Sequence, residues 1–274
     1  MYAVKWPFLV KPLLEMDLMK HILIFFLVLM SLNVSADDWE ENADIGKLFK
    51  AASVNGTFVL FDVKQQQYTG YNRERAVTPF IPASTFKIPN TLIGLSIGSV
   101  ENVDEILPYG GQPQPMDIWE KDMSLRDAIP ISNVPIYQEL ARRTGLERMQ
   151  ANVRKLDYGN ADIGEVVDRF WLDGPLRISA LEQTSFLARL AQGELPFPVQ
   201  AQADTREIVQ LEQDLDWTLY AKTGWGNDIG WWVGWVTKGD RVYSFALNID
   251  MYSAAEANKR IVLGKASLQG LGIL

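Results

Sequence analysis

The sequence predicts an α+β fold in which a central antiparallel sheet, built from both chain ends, carries an inserted helical lobe. Three observations predict it. Residues 56–62 alternate and β-branch as a strand does. Three more strand candidates, residues 217–222, 229–236 and 241–249, crowd toward the C-terminus. Between these two groups, from about residue 82 to residue 197, the apolar pattern is helical.

Each element has its own justification. Gln65-Gln66-Gln67 leads from the first strand to a second run around residues 68–71, which reads as a hairpin. Lys238-Gly239-Asp240 supplies the turn between the last two strands. Residues 253–268 are helix-like, with Gly270 and Gly272 after them. Gly193-Glu194-Leu195-Pro196-Phe197-Pro198 is the clearest linker-like stretch, and no internal repeat or low-complexity tract is visible.

Residues 1–36 read as a secretory signal with an upstream extension, leaving residues 37–274 as one domain of two lobes. Lys20 and His21 precede the apolar run 22–30, and Val34-Ser35-Ala36 forms a small-residue cleavage site. A run of nine apolar residues is too short to span a bilayer, which needs roughly 20. The alternative is an uncleaved N-terminal anchor. Residues 1–15 look like upstream sequence, because Met16 or Met19 would be a more ordinary start. The expectation is export, a mature N-terminus near Asp37, a periplasmic location and no stable membrane anchor.

Composition removes several kinds of chemistry. The formal net charge is −8, and the leader carries three Lys/Arg against two Asp/Glu, so the mature chain is slightly more acidic. That acidity argues against nucleic acid or an anionic membrane as partner. The single histidine, His21, lies in the leader, and there is no cysteine. A mature protein of this sequence therefore lacks the parts of a Ser-His-Asp triad, a cysteine nucleophile and the commonest transition-metal ligands, and no metal is expected.

Ser84-Thr85-Phe86-Lys87 offers a different base. Pro82-Ala83-Ser84 precedes a helix-compatible segment, residues 85–97, so Ser84 falls at a helix N-terminus where free N–H groups favour developing negative charge. Lys87, three residues on, lies on the same face. Pro89 is tolerable there because it falls in the first turn. Alone, Ser-x-x-Lys is weak, since roughly one chance match is expected in a chain this long. Lys222-Thr223-Gly224 ends a strand candidate, where a lysine, a hydroxyl and a close-approaching backbone suit a substrate carboxylate. Between them lie Ser132-Asn133-Val134, with a serine able to pass protons, and the turn-like Tyr158-Gly159-Asn160.

In order, Pro82-Ala83-Ser84-Thr85-Phe86-Lys87-Ile88-Pro89-Asn90, Ser132-Asn133-Val134, Tyr158-Gly159-Asn160, Phe170-Trp171-Leu172 and Lys222-Thr223-Gly224 resemble the motifs of a class D, oxacillinase-type β-lactamase. The resemblance runs from about Asp38 to Leu274. Pairing Ser-x-x-Lys with Lys-Thr-Gly is a signature of penicillin-recognising serine enzymes. Class A fits less well, having Ser-Asp-Asn where this chain has Ser132-Asn133-Val134, and class C relies on a Tyr-x-Asn tyrosine. Trp225 stands where many class D members have phenylalanine, which affects side-chain contacts and leaves the backbone role intact.

The resemblance implies a β-lactamase/transpeptidase-like fold and hydrolysis of the β-lactam amide of penicillins and related antibiotics, conferring resistance. It implies that Ser84 is acylated, with the oxyanion between the backbone N–H groups of Ser84 and Trp225. It further implies that Lys87 reacts with CO2 to give a carbamate that serves as general base, so that no cofactor beyond CO2 is needed. A free lysine is protonated at pH 7, and burial exposes the neutral amine that CO2 attacks. Phe86, Val134 and Leu172 would then supply apolar walls, and the indole N–H of Trp171, a donor only, would hold the carbamate; without the resemblance, Trp171 reads first as one more core aromatic in a chain with nine tryptophans. Ser132 is the proton relay. Lys222, Thr223, Gly224 and Arg260 are the substrate-binding set, with Arg260 suited to a bidentate carboxylate contact, although Lys259 beside it leaves the helix register open. Several members of the family pair as dimers, which makes a homodimer an expectation.

Three other readings share this scaffold. A β-lactam sensor domain would keep the acyl group and signal through a membrane segment, a transpeptidase would act on the cell wall behind an anchor, and a binding protein would lack turnover. Outside the leader no apolar run is long enough for a bilayer. The complete set of Ser84, Lys87, Ser132 and Lys222 argues for chemistry.

Overall fold

The computed structural model describes Tyr2 and residues 39–274. The predicted signal, its cleavage site and the upstream extension lie outside the described residues. Residues 39–274 form one compact unit.

The unit opens with a short strand β1 (Trp39–Glu41) and a helix α1 (Ala43–Ala51). Asn42 caps α1 by accepting from the backbone N–H groups of Asp44 and Ile45. The predicted hairpin follows as β2 (Gly56–Asp62) and β3 (Gln67–Tyr71), then a single turn α2 (Arg73–Ala76). Chain then leaves the sheet through a 3-10 turn (Ala83–Phe86) and builds α3 (Lys87–Ser96), α4 (Leu125–Ala128), α5 (Val134–Thr144), α6 (Leu146–Leu156), α7 (Ala180–Gln192) and α8 (Val199–Ile208). It returns as β4 (Gln210–Gln213), β5 (Trp217–Gly226), β6 (Ile229–Lys238) and β7 (Arg241–Asp250), and closes with α9 (Ala257–Gly270).

The seven strands lie in the order β1-β3-β2-β7-β6-β5-β4. The two chain ends meet where β2 pairs with β7 in antiparallel register, Gly56 opposite Ile249 and Asp62 opposite Tyr243. Two corrections to the sequence reading follow. The sheet is mixed, because β1 pairs with β3 in parallel. The helical lobe extends past residue 197 to Ile208, and β4, unseen in the sequence, adds an edge strand. The linker-like stretch at 193–198 is a tight corner within the lobe. Gly193 ends α7 in the left-handed conformation, and Gln202 from α8 holds the Leu195 and Phe197 carbonyls.

Burial explains why β6 sits near the centre. Its first eight residues are buried, as expected of a strand covered on both faces. Side chains alternate: Trp231, Val233 and Trp235 enter the core shared with the helical lobe, while Trp232 and Val236 enter the core under α1 and α9. A Cβ on Gly264 of α9 would run into the Trp232 ring, so glycine permits that helix to lie flat on the sheet. Burying each such large side chain is worth about 1.5–3 kcal/mol. In the lobe, α7 begins in a capping box, Ser179 accepting from the Glu182 N–H while Glu182 accepts from the Ser179 N–H. Among the described residues, no helix is long and apolar enough to cross a membrane.

Candidate active site

The nucleophile turn is strained at its entrance. Ala83 is buried and holds φ at +49°, a left-handed value uncommon for alanine. Ser84 follows within the 3-10 turn, three residues ahead of Lys87, the first residue of α3. The predicted helix over 85–97 therefore starts slightly later, and Pro89 falls in its first turn as expected. Lys87 Nζ donates to Ser84 Oγ at 2.9 Å. Lys87 is fully buried, and the Tyr137 ring of α5 lies 5.4 Å from its Nζ. Burial first, and then the nearby charge of Lys222, drives the Lys87 amine well below the ordinary lysine range. Burial thus favours the neutral amine of Lys87 over the ammonium.

A second serine–lysine pair faces the first. Lys222, on β5, is nearly buried and donates to Ser132 Oγ at 2.9 Å and to the Thr223 carbonyl at 3.1 Å. Burial and, after it, Arg260 push its amine down to about 7. Ser132 also has left-handed backbone, φ +58°, and is followed by Asn133, the buried cap of α5 that accepts from the Ile136 N–H at 3.1 Å. Val134, the first residue of α5, and Thr223 are half-buried beside this pair.

β5 approaches the nucleophile turn closely. A Cβ on Gly224 would fall 2.9 Å from the Pro82 carbonyl oxygen and 3.0 Å from Thr85 Cγ2. This proximity brings the backbone of Trp225 toward that of Ser84. Trp225 is exposed on its outer face, and its indole N–H donates to the Met251 carbonyl at 3.0 Å. Arg260 Nη1 donates to the Gly224 carbonyl at 3.0 Å, and burial lowers its guanidinium to about 10. The register left open in the sequence is resolved: Lys259 points away and pairs with Glu256, while Arg260 turns to the site.

Trp171 closes the inner wall. It is fully buried, stacks on Phe86 at 5.5 Å between ring centroids and meets Phe170 edge-on at 4.9 Å. Its Nε1 is buried without a hydrogen-bond partner. A donor left unpaired in the core costs about 1–3 kcal/mol. Leu172 is half-buried against the same cluster. Tyr158, from the turn-like triplet, is buried and meets Phe86 edge-on.

All the candidate residues converge, but two contributors escaped the sequence reading. Tyr137 carries no motif, and only its helical spacing from Asn133 hints at its inward face. Gln183 of α7, which donates to Thr85 Oγ1 at 2.9 Å and so braces the nucleophile turn, has no local signal at all.

A fold with a mixed sheet, an inserted helical lobe and two serine–lysine pairs across one cleft defines a serine enzyme of the transpeptidase fold. Residues 56–265 match the family model described as penicillin binding protein transpeptidase domain. The chain is 38% identical over 255 residues to β-lactamase OXA-5 of Pseudomonas aeruginosa, covering 90% of this chain and 96% of that one. It is 40% identical to β-lactamase OXA-48 of Klebsiella pneumoniae, covering 85% and 90%. The crystal structure of FUS-1 (OXA-85), a class D β-lactamase from Fusobacterium nucleatum subsp. polymorphum, superposes with a TM-score of 0.83 at 44% identity, covering 86% of this chain and all of that one. This chain belongs to the class D β-lactamase family.

Proposed function

We propose that this protein hydrolyses the β-lactam amide of penicillins and related antibiotics through an acyl-enzyme on Ser84, and so confers β-lactam resistance. The observation that carries the mechanism is the fully buried Lys87 donating to Ser84 Oγ at 2.9 Å, with Trp171, whose indole N–H is unpartnered, stacked on the adjoining Phe86.

Ser84 Oγ attacks the lactam carbonyl and gives up its proton toward Lys87. The carbonyl oxygen, now anionic, is met by the backbone N–H groups of Ser84 and Trp225, which stabilise charge as it develops. As the C–N bond breaks, the ring nitrogen takes a proton through Ser132 from Lys222, whose amine titrates near neutrality. Arg260, with Lys222 and Thr223, holds the substrate carboxylate. The proton taken by Lys87 is returned to Lys222. Water then attacks the ester carbonyl while Lys87 accepts its proton and hands it to Ser84 Oγ as the ester C–O bond breaks and the product acid leaves.

A neutral amine in an apolar pocket is the form that captures CO2, and the unpartnered Trp171 indole N–H is a donor suited to such an adduct, so the residues fit a carbamate on Lys87. A carbamate there would supply an anionic oxygen as proton acceptor for both acylation and hydrolysis. Trp171 would hold it, with Phe86, Val134 and Leu172 keeping bulk water away. No other cofactor enters this scheme.

Turnover of a chromogenic cephalosporin, followed with intact-mass detection of the acyl-enzyme, tests the reading. Turnover with a transient adduct supports it. A permanent adduct points to a sensor, and neither adduct nor turnover points to a binding protein. The basic pair Lys20-His21, the apolar run 22–30 and the small-residue site Val34-Ser35-Ala36 support export to the periplasm, and N-terminal sequencing of exported protein checks cleavage before Asp37. Pairing into a homodimer is checked by light scattering.

A further inference from the structure

Trp171 belongs to a loop, residues 157–178, joining α6 to α7. The base of this loop is tied by Asn160, which accepts from the Arg177 N–H at 2.9 Å and donates to the Pro175 carbonyl at 3.0 Å. Ile163, Val166, Phe170 and Pro175 line an open pocket of about 230 Å³ on this loop. Arg169 pairs with Asp173 within the same loop, which fixes neither to anything outside it. The stacking of Trp171 on Phe86 is apolar and non-directional, so it resists removal of the ring better than it resists sliding.

The loop is tied from outside at Ala161, whose carbonyl accepts from Gln150 Nε2 at 2.8 Å, and at Ile178, which exchanges backbone bonds with Phe80, but Asp168 is the tie nearest to Trp171 among these. Asp168, three residues before Trp171, accepts at its backbone carbonyl from Gln138 Nε2 at 3.0 Å and at Oδ2 from Arg142 Nη1 at 2.8 Å. Gln138 and Arg142 are four apart on α5 and so share a face. The same helix is locked to α3. Tyr137 accepts at its carbonyl from Asn90 Nδ2 at 3.0 Å, its hydroxyl meets Thr91 Oγ1 at 3.0 Å, and its ring lies over the Lys87 amine. Neighbouring residues of one helix therefore reference Lys87 on one side and the Trp171 loop on the other.

We propose that Gln138 and Arg142 are positioning residues which, through Asp168, fix the Trp171 indole N–H relative to the Lys87 amine and thereby set how much CO2 the site requires. This rests on the carbamate reading of Lys87. Neither residue touches substrate. Loosening the grip lets the indole donor drift from its acceptor, so the carbamate dissociates more readily, while the chemistry of a filled site is unchanged.

The experiment titrates bicarbonate against the hydrolysis rate for wild type, Gln138→Ala, Arg142→Ala and the double variant. The half-saturating bicarbonate concentration should rise about 2- to 10-fold for Gln138→Ala, the loss of one hydrogen bond to a part-buried carbonyl. It should rise about 2- to 5-fold for Arg142→Ala, whose ion pair is partly exposed. At saturating bicarbonate each rate should return to within about twofold of wild type, a recovery that a merely structural lesion would not show. Glu139→Gln, which removes the other carboxylate on Arg142, should keep the wild-type demand. Asp168→Asn keeps the carbonyl for Gln138 and weakens only the Arg142 arm, so it reads that arm even if an alanine variant fails to fold. Unchanged bicarbonate demand in the folded double variant, or a lost rate that bicarbonate does not restore, overturns the proposal. A wild-type enzyme indifferent to bicarbonate removes the carbamate reading itself and the positioning role with it, an outcome visible before any variant is made.

Discussion

Lys87 Nζ lies 2.9 Å from Ser84 Oγ and is wholly shielded from water, so the pair can exchange a proton but cannot easily keep a charge. Burial has removed the usual objection to lysine as a base, and the same burial leaves Ser84 as the hydroxyl it serves. Ser84→Ala should abolish covalent labelling by penicillin and lower turnover by on the order of 10³- to 10⁶-fold, the range seen when a nucleophile acting as part of a unit is removed. The fold should survive, because a half-buried hydroxyl is all that is lost. Intact mass after incubation with penicillin is the check, and an adduct on the alanine protein would move the nucleophile elsewhere.

The Lys222 amine, lowered to about 7 by burial and Arg260, makes stability depend on pH in a definite direction. In the unfolded chain this lysine titrates near 10.4. Between pH 7 and 10 the unfolded state therefore binds more protons than the folded one, and stability rises with pH over that window. Below pH 7 both states are protonated and the folded state bears the full cost of a buried cation. Compared with Lys222→Met, which keeps the volume and drops the charge, wild type should gain thermal stability steadily from pH 7 to 10. A difference in melting temperature that stays flat across that range would show that the amine is not desolvated.

Gly224 is where β5 and the nucleophile turn come closest, and a methyl group there meets the Pro82 carbonyl oxygen at 2.9 Å. Gly224→Ala should destabilise by about 1–3 kcal/mol as an overpacking change. It should also separate the Ser84 and Trp225 backbones, lowering kcat more than it raises KM, since the contact it disturbs matters most in the transition state. Urea denaturation with parallel steady-state kinetics measures both. A fully stable and fully active alanine variant would mean the strand relaxes without cost.

Much of this was legible in the residues. The alternation in β6 separates its tryptophans onto two faces, and the hairpin and the turn at Gly239 were marked by residues suited to them. β1 was not legible: three residues, Trp39-Glu40-Glu41, become a strand only because β3 offers them a parallel edge. β4 escaped for the same reason, being a short edge strand with a bulge against β5. In the site, Ser84, Lys87, Ser132 and Lys222 were visible as motifs, yet the left-handed backbone at Ala83 and Ser132 was not, because neither residue type announces it. Such strain is imposed by tertiary packing. Arg260 could be told from Lys259 only when α9 settled against Trp232 and fixed its rotation.

Arg260 reaches the Gly224 carbonyl from α9 and presents its charge at the end of the strand that carries Lys222. A contact with the carboxylate common to penicillins and cephalosporins is equally present in ground and transition states. Arg260→Ala should therefore raise KM about tenfold or more and change kcat little. Steady-state kinetics with a penicillin decides it, and an unchanged KM would place the carboxylate site elsewhere.

Trp171 provides the sharpest separation between a core aromatic and a working donor. Trp171→Phe preserves most of the stacking on Phe86 and Phe170 and removes only the N–H that lies buried without an acceptor. If the ring served packing alone, this change would be nearly neutral or stabilising, because an unsatisfied donor is lost. If the donor holds a carbamate on Lys87, the variant should need more bicarbonate and accumulate acyl-enzyme, since hydrolysis of the ester loses its base while Ser84 still reacts slowly. Acidification should have the same effect on wild type, because protonation of the Lys87 amine withdraws the form that captures CO2, so activity should fall as pH drops and recover with added bicarbonate. Lys87→Ala should not recover at any bicarbonate concentration. Carbon-13 spectra with labelled bicarbonate give the direct readout, expected to show a carbamate signal in wild type, a weaker one in Trp171→Phe and none in Lys87→Ala. Equal rates in degassed and supplemented buffer, with no such signal in wild type, would refute the proposed base.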